Sequence, residues 1–224
     1  DLTWPMPARG PWNANKNVGQ YVWQVVNQRP DKWKEGIRLM HHIYQVNQGR
    51  PDTQTRALNE MGWMYKNLLG DYARAAFCWQ YVGAEKTGRN GLGLAECYWR
   101  LGNKQMALDL IDKLPLQFQT VKLLGDMGEL ERALGIANGN INGRYGDIAC
   151  LYGGDACRTN GKLDWALQYY QRVLTMAQPG SDARTAKRFQ RNRQRARANI
   201  EAVKLYDKLD LAKVKDGTYT ASSP

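Results

Sequence analysis

The chain has 224 residues, 43% of them hydrophobic and 10% aromatic, with eight Trp and twelve Tyr. So much apolar material excludes a disordered chain and suffices for one extended domain or two small ones. Formal net charge is +11, which invites an anionic partner, and no stretch approaches the ~20 apolar residues of a membrane-spanning helix.

In chain order, residues 1–16 are rich in Pro, Gly and Asn and read as an extended arm. The chain opens on Asp1 without a Met, so an upstream segment is expected to have been removed. From 17 to 177 the pattern is helical. Val18–Arg29 and Lys32–Val46 carry apolar residues at helical spacing (Tyr21, Val22, Val25, Val26, then Trp33, Ile37, Met40, Ile43, Tyr44). Pro30 separates them, so 18–46 reads as a degenerate leading hairpin.

Four self-similar units follow, at 53–83, 89–115, 117–138 and 145–177. Each has a Gly followed five residues later by an Ala: Gly70/Ala75, Gly102/Ala107, Gly128/Ala133 and Gly161/Ala166. The Ala-to-Ala spacings are 32, 26 and 33 residues, so the third unit is short. Gly ends a first helix because it takes the left-handed conformation without a Cβ penalty. Ala allows the returning helix to cross closely. Before the Gly, Gly62 and Tyr65, then Ala95 and Tyr98, face inward. After the Ala, Trp79, Ile111 and Tyr170 close each hairpin.

This pattern over residues 53–177 resembles the tetratricopeptide repeat. The resemblance implies an all-α fold, a right-handed superhelix of antiparallel helical hairpins, with protein or peptide binding on its concave side. It also implies a groove-facing set: Arg56, Asn59, Trp63 and Lys66 from the first unit, Trp99 and Arg100 from the second, and Arg158 from the fourth. Either these form a peptide-binding surface, since aromatics and Arg dominate hot spots, or the two tryptophans pack between repeats.

Pro179–Asp182 stops the fourth hairpin and offers an N-cap at Ser181 or Asp182. A long capping helix over 181–209 follows, with Phe189, Ala196, Ile200, Val203 and Tyr206 on one stripe. It holds Arg184, Lys187, Arg188, Arg191, Arg193, Arg195 and Arg197 with no acid among them; the rest of the chain sums to +4. Three readings fit this basic surface: a solvated helix paired with acidic neighbours, an acidic protein partner, or a nucleic-acid or membrane surface. Only Phe189 offers a stacking ring within it, which disfavours nucleic acid.

Residues 210–224 read as a linker in which Asp216-Gly217-Thr218-Tyr219-Thr220-Ala221-Ser222 resembles the opening strand of a bacterial flavin-mononucleotide-binding domain. Ala221 departs from that family's Gly. The resemblance implies a flavin domain beyond Pro224, in an exported (periplasmic or extracellular) or membrane-associated bacterial protein, with no cofactor site inside residues 1–224.

No nucleotide-binding, hydrolase or metalloprotease motif occurs, and Gly91-Leu92-Gly93-Leu94 lacks a preceding strand. His41 and His42 are adjacent, so they do not share a helix face. Cys78, Cys97, Cys150 and Cys157 read either as buried thiols or as up to two disulfides. Cys78 and Cys97 lie on consecutive packed helices. A bond between Cys150 and Cys157 needs a helix break, which Gly153-Gly154 could supply. The expectation is a non-catalytic scaffold for protein–protein interaction; the alternatives are an anionic-surface binder through residues 184–197 or a structural spacer.

Overall fold

The glycines expected to end the first helices all have left-handed backbone: φ is 64° at Gly70, 91° at Gly102, 81° at Gly128 and 71° at Gly161. A side chain is disfavoured at such angles, so these four positions select the turn. Around three of them the chain closes the same pair of hydrogen bonds. Asn103, Glu129 and Lys162 donate their backbone N–H to the carbonyls of Tyr98, Leu124 and Cys157, five residues back, at 2.9, 2.8 and 2.9 Å. Gly102, Gly128 and Gly161 donate to Trp99, Gly125 and Arg158. Both bonds satisfy carbonyls that a helix end leaves without partners. The next residue can then start the returning helix: Asp71 and Asn103 accept the N–H of Arg74 and Met106 in their side chains, each at 3.0 Å.

The computed structural model describes residues 29–178 and 182–206, and these fall into two units that part after Gln117. The expected arm, the segment 18–28 of the leading hairpin, Ser181 and the tail from 207 onward lie outside the described residues. Every regular element among the described residues is helical, and no helix among them is long and apolar enough to cross a membrane.

The first unit holds α1 (Trp33–Val46), α2 (Pro51–Met64), α3 (Tyr72–Tyr81), α4 (Gly88–Arg100) and α5 (Lys104–Ile111). Pro30–Lys32 forms one 3-10 turn before α1. Each helix packs on the next, α1 on α2, α2 on α3, α3 on α4 and α4 on α5. Ala75 and Ala107 are fully buried at the crossings. The indole of Trp79, only 2% exposed, fills the space left by two glycines on different helices. A Cβ at Gly62 in α2 would stand 2.6 Å from its Nε1, and one at Gly93 in α4 2.7 Å from its Cη2.

One feature left no sequence signal. Tyr65–Leu69, continuing α2, is a π-helical turn, so the bond equivalent to the five-residue closure runs six residues, from Asp71 N–H to the Tyr65 carbonyl.

The second unit holds α6 (Phe118–Asp126), α7 (Leu130–Asn140), α8 (Gly146–Thr159), α9 (Leu163–Thr175) and α10 (Ala183–Tyr206). The short third repeat has a first helix of nine residues, yet Ala133, like Ala166, is fully buried. Helix α8 packs on α6, α7, α9 and α10. Tyr170, Cys150, Cys157, Val173, Ala196 and Val203 fill the core between α8, α9 and α10. Asp182 caps α10 by accepting the Thr185 N–H at 2.9 Å.

The glycine pair Gly153-Gly154 does not break its helix. Helix α8 runs straight through it, because a Cβ at Gly154 would lie 2.5 Å from the Tyr170 ring and one at Gly153 2.9 Å from Tyr169. These glycines admit two aromatic rings. Cys150 and Cys157 therefore stay two turns apart, ~10 Å along the axis, and all four cysteines are free and buried.

Candidate functional site

Three surfaces carry candidate chemistry. The first is the stripe implied by the repeat resemblance. On α2, Arg56, Asn59 and Trp63 are each half-buried. Arg56 is ion-paired with Glu60, and Lys66 in the π-helical turn with Glu96 of α4. Burial pushes the Glu60 carboxyl above its ordinary value, against the pull of Arg56 and Arg89. Arg56 Nε and Asn59 Oδ1 are buried without hydrogen-bond partners. Trp99 is half-buried, with the Arg100 guanidinium 4.3 Å above its ring and also near Tyr72. Arg158 belongs to the second unit, so the expected seven residues divide between the two units. Within the first, the stripe's cations are mostly answered by neighbouring acids.

The second surface is helix α10. Three of its seven expected basic residues hold the fold. Arg188 donates to both oxygens of the fully buried Asp147, each at 3.2 Å, and to the Arg144 carbonyl at 3.0 Å. Asn192 adds a 2.7 Å bond to the same carboxylate. Two turns on, Arg195 pairs with Asp155, which also accepts from Asn199 and from the Tyr170 hydroxyl at 2.7 Å. Burial beside that carboxylate drives the Tyr170 phenol far above its usual value. Arg193 donates to the Leu174 carbonyl and lies over Phe189. The pairings rise together along α8 and α10, so these helices run parallel. Arg184, Lys187, Arg191 and Arg197 are exposed and carry no ion pair among the described residues.

Arg184, Lys187 and Arg191 join Arg188, Arg144 and Tyr145 around a cleft of about 960 Å3. Tyr145, in the turn before α8, packs edge-on against Phe118, with Arg188 4.9 Å and Arg144 5.8 Å from its ring.

The third surface was not anticipated. Between α1 and α3 lies an apolar cleft of about 510 Å3 lined by Tyr44, Met61, Tyr65, Phe77 and Tyr81, with His41 and Arg74 among its lining groups. Phe77 is 66% and Tyr81 65% exposed. Tyr44 donates its hydroxyl to that of Tyr81 at 3.2 Å, and the rings meet edge-on. Phe77 and Tyr81 sit at i and i+4 on the side of α3 away from Ala75 and Trp79, outside the repeat signature. A pair of aromatics four apart on an outward helix face was the available signal.

His41 bonds through Nε2 to the Tyr65 hydroxyl at 3.1 Å, and burial with Arg74 nearby lowers its pKa. Among the described residues no group of three or more His, Cys, Asp or Glu is disposed to hold a metal ion. Burial raises the thiols of Cys78, Cys150 and Cys157 to about 11 and that of Cys97 to about 12, so none is primed as a thiolate.

Comparison with protein-family models, with curated proteins and with solved structures finds no match to this chain.

Proposed function

We propose that this protein is a non-catalytic helical-hairpin scaffold, its hairpins belonging to a tetratricopeptide-like right-handed superhelix, whose first unit docks a segment of another protein. The observation that carries this is the cleft between α1 and α3, where Phe77 and Tyr81 remain two-thirds exposed. Large aromatics left in water beside a concave apolar surface mark contact sites, and the lining suits an aliphatic or aromatic anchor. The half-buried Asn59 and Trp63 make the α2 stripe a second contact surface in this reading. Export, and service to a downstream flavin domain, belong to the same proposal through the tail resemblance alone.

Selection of a random peptide library against the full chain tests it. Enriched peptides should carry an apolar anchor and lose binding to Phe77→Ala/Tyr81→Ala, a surface pair whose removal leaves the helical spectrum intact. Peptides that bind this variant as well as the parent would refute the cleft. If binding failed instead with Asn59→Ala/Trp63→Ala, docking would pass to the stripe.

A further inference from the structure

The basic cleft of the second unit is independent of that docking surface, and its chemistry is more particular. Five cations line it, from Arg144, Arg184, Lys187, Arg188 and Arg191, and among the described residues no carboxylate does. Two are already answered: Arg188 by buried Asp147 beneath it, Arg144 by Asp182 at 3.8 Å. Arg184, Lys187 and Arg191 have no ion pair among the described residues. On α10 these three fall within a 100° arc, and Arg184 and Arg191 are seven residues apart, ~10.5 Å along the axis. A solvated helix would spread such charge around its circumference to lower self-repulsion. Here three of the four exposed α10 cations left without an ion pair among the described residues are gathered on one wall of a concavity of small-ligand size.

The geometry points to a binding site for a short chain of linked phosphoryl groups, such as an oligophosphate. Adjacent tetrahedral oxyanions concentrate negative charge over the length that Arg184, Lys187 and Arg191 span. Planar guanidinium forks meet phosphate oxygens two at a time. Arg188 is preorganised: three hydrogen bonds and the Tyr145 ring hold it in place, so little rotamer freedom is lost on binding. A single-stranded nucleic acid fits less well. Its phosphates are spaced by sugars, and it asks for open aromatic platforms, whereas Tyr145 already carries the guanidinium groups of Arg188 and Arg144.

The experiment is calorimetric titration of the full chain with inorganic tripolyphosphate, repeated at rising salt. One site per chain is expected, weakening steeply as salt increases. Arg184→Gln and Arg191→Gln should each weaken it about tenfold, the scale of losing a hydrogen bond to a charged group. Arg197→Gln, on the same helix but outside the cleft, should change it less than about twofold. These residues are exposed, so folding survives substitution, which circular dichroism checks. Absence of tripolyphosphate binding would overturn the proposal, as would equal losses in all three variants. Equal or tighter binding of an oligothymidylate or an oligoglutamate would also overturn it and assign the cleft to that partner.

Discussion

The placement of Trp79 yields a prediction whose sign depends on a second residue. Gly62 approaches the Nε1 edge of the indole and Gly93 the opposite edge, at Cη2 and Cζ3. A ring moving away from one is driven toward the other. Either Gly→Ala change therefore overpacks the site, at about 1–3 kcal/mol. Against this, Ala in a helix interior is favoured over Gly by about 1 kcal/mol. The net single-variant effect is a loss of about 0–2 kcal/mol. Trp79→Ala removes the whole indole, including the Cδ1 that would lie 2.9 Å from a Cβ at Gly62, and costs roughly 3–5 kcal/mol. In that background the clash is gone and only the helix preference remains, so Gly62→Ala or Gly93→Ala should stabilise by about 1 kcal/mol. Urea unfolding followed by far-ultraviolet circular dichroism measures all four corners of each cycle. A coupling of about 1–3 kcal/mol is expected from these terms. Additivity within about 0.5 kcal/mol would show that the indole does not set the approach of α2 and α4.

Two further measurements address buried groups. The folded-state pKa of Glu60 is raised, chiefly by burial, so between its unfolded and folded values the native state binds more proton than the unfolded chain. Stability from this group is highest below the unfolded pKa and falls as pH rises through the folded one. Relative to Glu60→Gln, the parent should lose stability over that interval; parallel urea midpoints for the two proteins across pH 4 to 7, a range set by the ~4.3 reference value of Glu, would contradict this. The cysteines, free, buried and with raised pKa values, should resist a thiol reagent in the native protein at pH 8 and all react after unfolding in urea without reductant. Fewer than four reactive thiols in unfolded protein would mean a disulfide.

Local chemistry was the legible part of this sequence. Gly70, Gly102, Gly128 and Gly161 each need a left-handed backbone, a demand written in one residue, and the Ala five positions on follows from the length of the turn. What depends on distant partners was hidden. Gly153-Gly154 resembles a helix break by propensity, and only the rings of Tyr169 and Tyr170, from another helix, reverse that meaning. The π-helical turn at Tyr65–Leu69 contains ordinary helix formers and shifts the hydrogen bonding by one residue, leaving no compositional mark. Residues 184–197 showed their charge but not its division, because the carboxylates answering Arg188 and Arg195 lie about forty positions away.

That division constrains how this helix can vary. Asp147 and Asp155 act as two rungs, each gripped by an Arg and an Asn four residues apart on α10. An insertion of one residue between Arg188 and Arg195 would turn the second grip by ~100° and leave a carboxylate stranded in the interior. A slide of four residues, about a whole turn or ~5.4 Å, in one direction would set Asn192 with Ala196 at one rung and Asn199 with Val203 at the other, and leave both carboxylates without a cation. In the register that forms, each acid meets one Arg and one Asn, so α10 behaves as a keyed bolt, and the cations outside the keys can change without disturbing that fit.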